Sequence, residues 1–156
     1  MIRSIAPADI PLILPLVRQV QALHVADMPA RYWPQQDADA LTAFYQDRLD
    51  QGQTILIDDR DGVAAGFALF LVKNLPENLF RRAETLGHLD QICVDKAFRR
   101  QGVGKALINE MIGRLRAKDI ARWSADYWVF NTASAALMAS CGATPAFHHA
   151  EGPVDP

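Results

Sequence analysis

The chain has 156 residues, half of them apolar, enough to bury a core without help from metals or disulfides. Lys and Arg number 16 against 18 Asp and Glu, a formal net charge of -2, and the two signs are scattered along the chain, which argues against a surface built mainly to hold DNA or RNA. The only two cysteines, Cys93 and Cys141, are far apart and form no C-x-x-C or Cys/His pattern suited to zinc, so no metal site is expected.

The N-terminal "MIRSIAPADI" has neither the apolar core nor the small-residue cleavage site of a signal peptide. No stretch reaches the ~18 uninterrupted apolar residues of a membrane helix. These features lead us to expect one domain over residues 1–156 in a soluble, cytoplasmic protein with no membrane partner.

In chain order, "IRSI" is a short strand. Asp9 can cap a helix whose apolar residues Ile10, Ile13, Leu14, Val17 and Val20 recur at helical spacing, with Pro15 predicting a kink or a late start. Residues 26–36, "ADMPARYWPQQ", read as a loop, and a second helix is predicted from Asp37 to Leu49. "QTILIDDRDGVAAGFALFLV" holds two apolar runs around a turn and predicts a β-hairpin. The polar "NLPENLFRRAET" leads to a strand over "LGHLDQICVD", carried by Leu86, Leu89, Ile92 and Val94. Val103, Ala106, Leu107, Met111 and Leu115 then line one side of a helix. "ARWSADYWVF" predicts an aromatic strand, "NTASAALMAS" a short helix, and "CGATPAFHH" a turn and a last strand.

Between the "LGHLDQICVD" strand and the helix that follows it lies "FRRQGVGKAL". As a P-loop, G-x-x-x-x-G-K-[ST], it would place its first glycine at Arg99 and its hydroxyl at Ala106, and both fail. As G-x-G-x-x-G its third glycine would be Leu107. As R-x-x-G-x-G, between a strand and an amphipathic helix, Arg99, Gly102 and Gly104 all match. Glycines let the backbone approach a diphosphate, and the free amides at a helix start favour negative charge. Lys96, Arg99, Arg100 and Lys105 add cationic side chains. A tight turn with a solvated charged face is the simpler alternative.

The run "HLDQICVDKAFRRQGVGKALINEMI" resembles the signature of the GCN5-related N-acetyltransferases. "DYWVFNTASAALMASCGA" resembles the strand and helix that follow in that family, with Asn131 at its asparagine and Gly142 at its glycine turn. The resemblance implies an α/β (α+β) fold with a mixed, mostly antiparallel sheet flanked by helices, whose splayed strands form a cleft for acetyl-CoA. It implies an acetyl-CoA-dependent N-acetyltransferase that moves acetyl directly to a primary amine of a small molecule in a ternary complex, releasing CoA.

Residue by residue, the backbone of Ile92, Cys93 and Val94 would pair with the pantetheine arm. Arg99 and the amides of Arg100, Gln101, Gly102, Val103, Gly104 and Lys105 would hold the pyrophosphate. Asn131 would lie across the cleft or serve as a helix cap. Asp90 stands where relatives often carry an acidic catalytic residue and is the candidate general base; pairing with an arginine or a substrate cation is its other reading. Alternation along a regular strand puts His88 on the face of Asp90 and Gln91 on the opposite one. An amide at Cys93 or Val94 could hold the oxyanion. Met138 occupies the position of the tyrosine that protonates the thiolate in many relatives, and a thioether cannot donate a proton. Tyr127 is the candidate acid, with a packed strand aromatic as its alternative.

Acceptor contacts are expected from His24, Arg31, Trp33 and His88, with Tyr32 beside Trp33 as a possible aromatic wall. Three alternatives remain open on the sequence: a catalytically weak acyl-CoA-binding or regulatory module, which Met138 favours, an acetyltransferase of protein N-termini or lysines, and a nucleotide-binding protein sharing the loop. A homodimer is a further possibility.

Overall fold

The structure, a computed structural model, describes residues 1–34 and 37–154. Five strands form one sheet in the order of the sequence: β1 (Ile2–Ser4), β2 (Thr54–Arg60), β3 (Val63–Leu75), β4 (Glu84–Val94) and β5 (Trp123–Ala125). The first four pair antiparallel and β5 joins β4 in parallel. The turn between β2 and β3 is Asp61–Gly62, both at positive φ (54° and 83°), the conformation that a two-residue hairpin turn requires.

Four helices cover the two faces: α1 (Ile10–Asp27), α2 (Ala38–Asp50), α3 (Val103–Arg116) and α4 (Thr132–Ser140). The sheet divides the core in two. Ile10, Ile13, Leu16 and Tyr45 from α1 and α2 pack with Ile55, Ile57, Phe67, Leu69 and Cys93 on one face. On the other, Val103, Leu107, Ile108 and Met111 of α3 and Met138 of α4 pack with Leu56, Ala68, Phe70 and Leu89. Strand alternation makes this possible, because β3 is buried on both faces and supplies apolar side chains to each in turn.

Several expectations are corrected. α1 is continuous through Pro15, after a short 3₁₀ turn at Pro7–Asp9. The Asp9 carboxylate does not cap α1; it accepts from the Ala6 amide at 2.9 Å and from both terminal nitrogens of Arg3, 2.8 and 3.0 Å away. Asp37 does cap α2, accepting from the Ala40 amide at 3.0 Å. The loop expected over 26–36 begins later, since α1 runs to Asp27, and Gln35 and Gln36 lie outside the described residues. In α3, Ala106 is exposed and Ile108 takes its place in the core. The aromatic strand stops at Ala125, leaving Tyr127, Trp128 and Phe130 off the sheet, and among the described residues no strand follows α4.

Candidate active site

β4 and β5 start together and then part. Gly87, His88 and Leu89 pair with Trp123, Ser124 and Ala125, and β5 ends there while β4 runs on to Val94. One edge of β4 is therefore released from the sheet over its last residues. Pairing with β3 decides which backbone groups face that gap. The Asp95 amide bonds Ala65 O at 2.9 Å and Gly66 stands opposite Val94. By the alternation of an antiparallel ladder, the Cys93 amide then turns to β3 and those of Val94 and Ile92 turn away from it.

Asp90 sits at the fork. Leu89 pairs with Phe70 and Gln91 with Leu69, so Asp90 is an extra residue in β4, a β-bulge. The bulge resets the alternation. Gln91 falls on the α1/α2 face, where its Oε1 accepts from Tyr45 Oη at 2.5 Å, and the expected opposition of Gln91 to His88 does not hold. His88, 6% exposed, shares a hydrogen bond between Nδ1 and Ser124 Oγ at 2.9 Å, and its Nε2 lies 3.9 Å from Asp126. Burial and then Lys73 lower its pKa, against the pull of Asp126 and Asp90. Cys93 is buried, and burial pushes its thiol up to about 11, which suits an apolar filler and not a nucleophile.

Beyond β4, Asp95 turns the chain by accepting from the Ala97 amide at 2.8 Å and from Gln19 of α1 at 2.7 Å. The loop then passes through left-handed backbone at Arg100 (φ 62°) and Gly102 (φ 81°). Its two glycines do different work. A Cβ on Gly102 would meet nothing within 4 Å, so glycine is there for its φ. A Cβ on Gly104 would come within 3.0 Å of Leu137 and 3.4 Å of Val94, so glycine is there for close packing of α3 against α4 and β4.

The first intrahelical bond joins the Ala106 amide to Gly102 O at 2.9 Å, leaving the amides of Val103, Gly104 and Lys105 without an intrahelical acceptor. Lys96, Arg99, Arg100 and Lys105 are exposed around this end. Arg99 Nε also reaches Val94 O at 3.3 Å and Gln101 Nε2 reaches Ala97 O at 3.1 Å, tying the loop to the end of β4. Asn131 caps α4, its Oδ1 accepting from the Ser134 amide at 3.0 Å.

Of the expected acceptor residues, the structure joins two. His24 stacks on Tyr32 at 4.9 Å, Trp128 Nε1 donates to Tyr32 Oη at 2.7 Å, and the Arg31 guanidinium lies 5.0 Å from the Trp128 ring. Arg31 also holds Glu151 through both terminal nitrogens, at 2.7 and 3.1 Å. Trp33 stands apart, 80% exposed, and His88 belongs to the fork. Tyr127 lies past the end of β5 and is 40% exposed. Met138 is 3% exposed and packs with α3. Sequence reasoning did not assign roles to Tyr45, Gln91, Trp128 or Glu151. Only Tyr45 left a signal, four residues after Leu41 on the apolar side of α2.

Residues 18–143 match the acetyltransferase (GNAT) family. The chain belongs to that family. Several solved structures share the fold: the F44R mutant of BH1408 from Bacillus halodurans is 20% identical with a TM-score of 0.89, covering 99% of both chains. The aminoglycoside N-acetyltransferase AAC(6')-Iy, solved with CoA, is 22% identical with a TM-score of 0.78, covering 100% of this chain and 95% of its own. A predicted acetyltransferase from Clostridium acetobutylicum, solved with acetyl-CoA, is 13% identical with a TM-score of 0.73, covering 99% and 96%. No curated protein matches the sequence significantly. The chain is thus a GNAT acetyltransferase by family, with a five-stranded, mostly antiparallel sheet and four helices.

Proposed function

We propose that this GNAT protein transfers acetyl directly from acetyl-CoA to a primary amine of a small molecule, with both substrates bound together. The observation that carries the reading is the fork between β4 and β5: one free strand edge runs from a bulged carboxylate, Asp90, to a helix start with unpaired amides and four cationic side chains.

The residues suit acetyl-CoA. The space around Gly102 and the unpaired amides of Val103, Gly104 and Lys105 fit a diphosphate, with Arg99, Arg100 and Gln101 around it. Ile92 and Val94 offer backbone groups to the pantetheine arm, with Cys93 packed behind them and Asn131 across the gap. Acetyl-CoA supplies the acyl group as a thioester, activated toward amines. Asp90 takes the proton that makes the incoming ammonium a neutral nucleophile. The Val94 amide, turned away from β3, donates to the oxygen that gains charge. Met138, a thioether buried in the core, has no proton to give the thiolate, and burial lowers the pKa of His88, disfavouring its charged form. Tyr127 or water fills that role.

Three of the solved structures similar to this one are of two aminoglycoside acetyltransferases, one in complex with sisomicin, which supports a small-molecule acceptor over a protein. His24, Arg31 and Tyr32 form the acceptor wall with Trp128, and His88 serves the acceptor from the fork. Two measurements test the reading. Acetyl-CoA and CoA should raise the Tm while ATP and NAD leave it unchanged. A screen of polyamines, amino acids and aminoglycosides, read by thiol release, should then identify acceptors. Stabilisation by ATP or NAD alone would refute the assignment of the loop, and tight CoA binding with no turnover on any amine would support a binding module.

A further inference from the structure

Tyr45 is 1% exposed and lies edge-on to Phe67 with ring centres 6.3 Å apart. A phenol at this depth needs a partner for its hydroxyl, and Tyr45 Oη has one in Gln91 Oε1 at 2.5 Å. Gln91 directly follows the residue that the β3 to β4 register skips. The extra residue of a bulge is left unpaired in the ladder, so its placement depends on what holds its neighbours. One neighbour, Leu89, is fixed in the α3-side core, and the other is fixed by α2 through this hydrogen bond.

We propose that Tyr45 is a positioning residue for Asp90: through Gln91 it pins the β4 bulge to α2 and so fixes the carboxylate at the fork. The proposal rests on the reading of Asp90 as the base. The same bond orients the Gln91 amide, whose oxygen accepts the phenol proton and whose nitrogen remains a donor. Burial, and after it the Asp90 carboxylate, raises the pKa of Tyr45, so the phenol stays protonated and able to donate across the neutral range. The charged and titratable groups that act on Tyr45 are Asp90 and Cys93 on β4 and Arg48 on α2, and Asp90 also acts on His88, which Lys73 on β3 and Asp126 after β5 face in turn.

The test compares wild type, Tyr45→Phe, Asp90→Asn and the double variant by thiol release, using the amine turned over fastest in the screen. Tyr45→Phe keeps the ring and removes one buried hydrogen bond, so kcat should fall about tenfold with KM for acetyl-CoA unchanged and the acid limb of the pH profile displaced. In the Asp90→Asn background the same change should have no further effect. A second tenfold loss there would overturn the proposal. So would a wild-type rate and pH profile for Tyr45→Phe alongside a slow Asp90→Asn, which would leave the base assignment standing. Full activity of Asp90→Asn would remove the base reading itself. Amide hydrogen exchange at Gln91, paired with Leu69 beside the bulge, followed by NMR, needs no acceptor: it should rise about tenfold in Tyr45→Phe while exchange in β2 stays constant. Unchanged exchange would overturn the proposal.

Discussion

Gly102→Ala isolates the conformational demand of the glycine turn into α3. Gly102 has φ 81° and a Cβ there would touch nothing within 4 Å, so the substitution meets no clash and its effect is confined to the backbone. Holding an L-residue in left-handed backbone costs roughly 1–2 kcal/mol, and the reduced freedom of the unfolded chain returns about 0.4–1 kcal/mol. The net loss is about 1 kcal/mol, or a fall in Tm of about 3 °C for a domain of this size. Asparagine tolerates the left-handed region better than alanine, so Gly102→Asn should lose less. Thermal unfolding followed by circular dichroism, without ligand, measures both. A Tm for Gly102→Ala equal to or above wild type, or a larger loss for asparagine than for alanine, would refute the reasoning.

Met138→Tyr should lower stability by about 1–3 kcal/mol, because a larger polar side chain must enter a core site that is 3% exposed, and it should not accelerate thiol release. Chemical denaturation and the acetyl-CoA assay check the two halves. Below about pH 6.5 the unfolded chain binds a proton on His88 that the folded chain resists, since burial lowers its folded pKa. Its contribution is therefore complete above that pH and is lost as pH falls further, and His88→Gln should flatten the decline of Tm between pH 7.5 and 5. Iodoacetamide at pH 8 should label Cys141 well before Cys93, whose thiol is buried and raised to about 11; mass spectrometry of the folded protein reads the order. Glu151→Gln should leave Tm unchanged, because its pair with Arg31 is exposed, while speeding proteolysis within residues 144–154.

The β2–β3 hairpin and the glycine turn into α3 were legible because their signals are local. Asp61–Gly62 marks a two-residue turn, and R-x-x-G-x-G at a helix start carries its own physical logic. The bulge was legible in principle. Leu89 and Ile92 both pack toward α3 although three residues apart, a spacing that a regular strand cannot put on one face, so an extra residue must lie between them. The aromatic run after Ala125 was misread as strand because Tyr, Trp, Val and Phe favour pleated surface wherever they can be covered, and here Trp128 and Phe130 pack instead on Tyr32, His24 and Arg31 while Tyr127 and Val129 are exposed. The Tyr45 to Gln91 bond joins residues 46 apart, and no local pattern announces it.

The two-faced burial of β3 has an evolutionary consequence. α3 and α4 draw on one half of the interior, while α1 and α2 draw on the other. A substitution in the second half reaches the first only through a rigid sheet. One layer can therefore be repacked among descendants of such a chain while the glycine turn and the packing of α3 on the other are inherited intact.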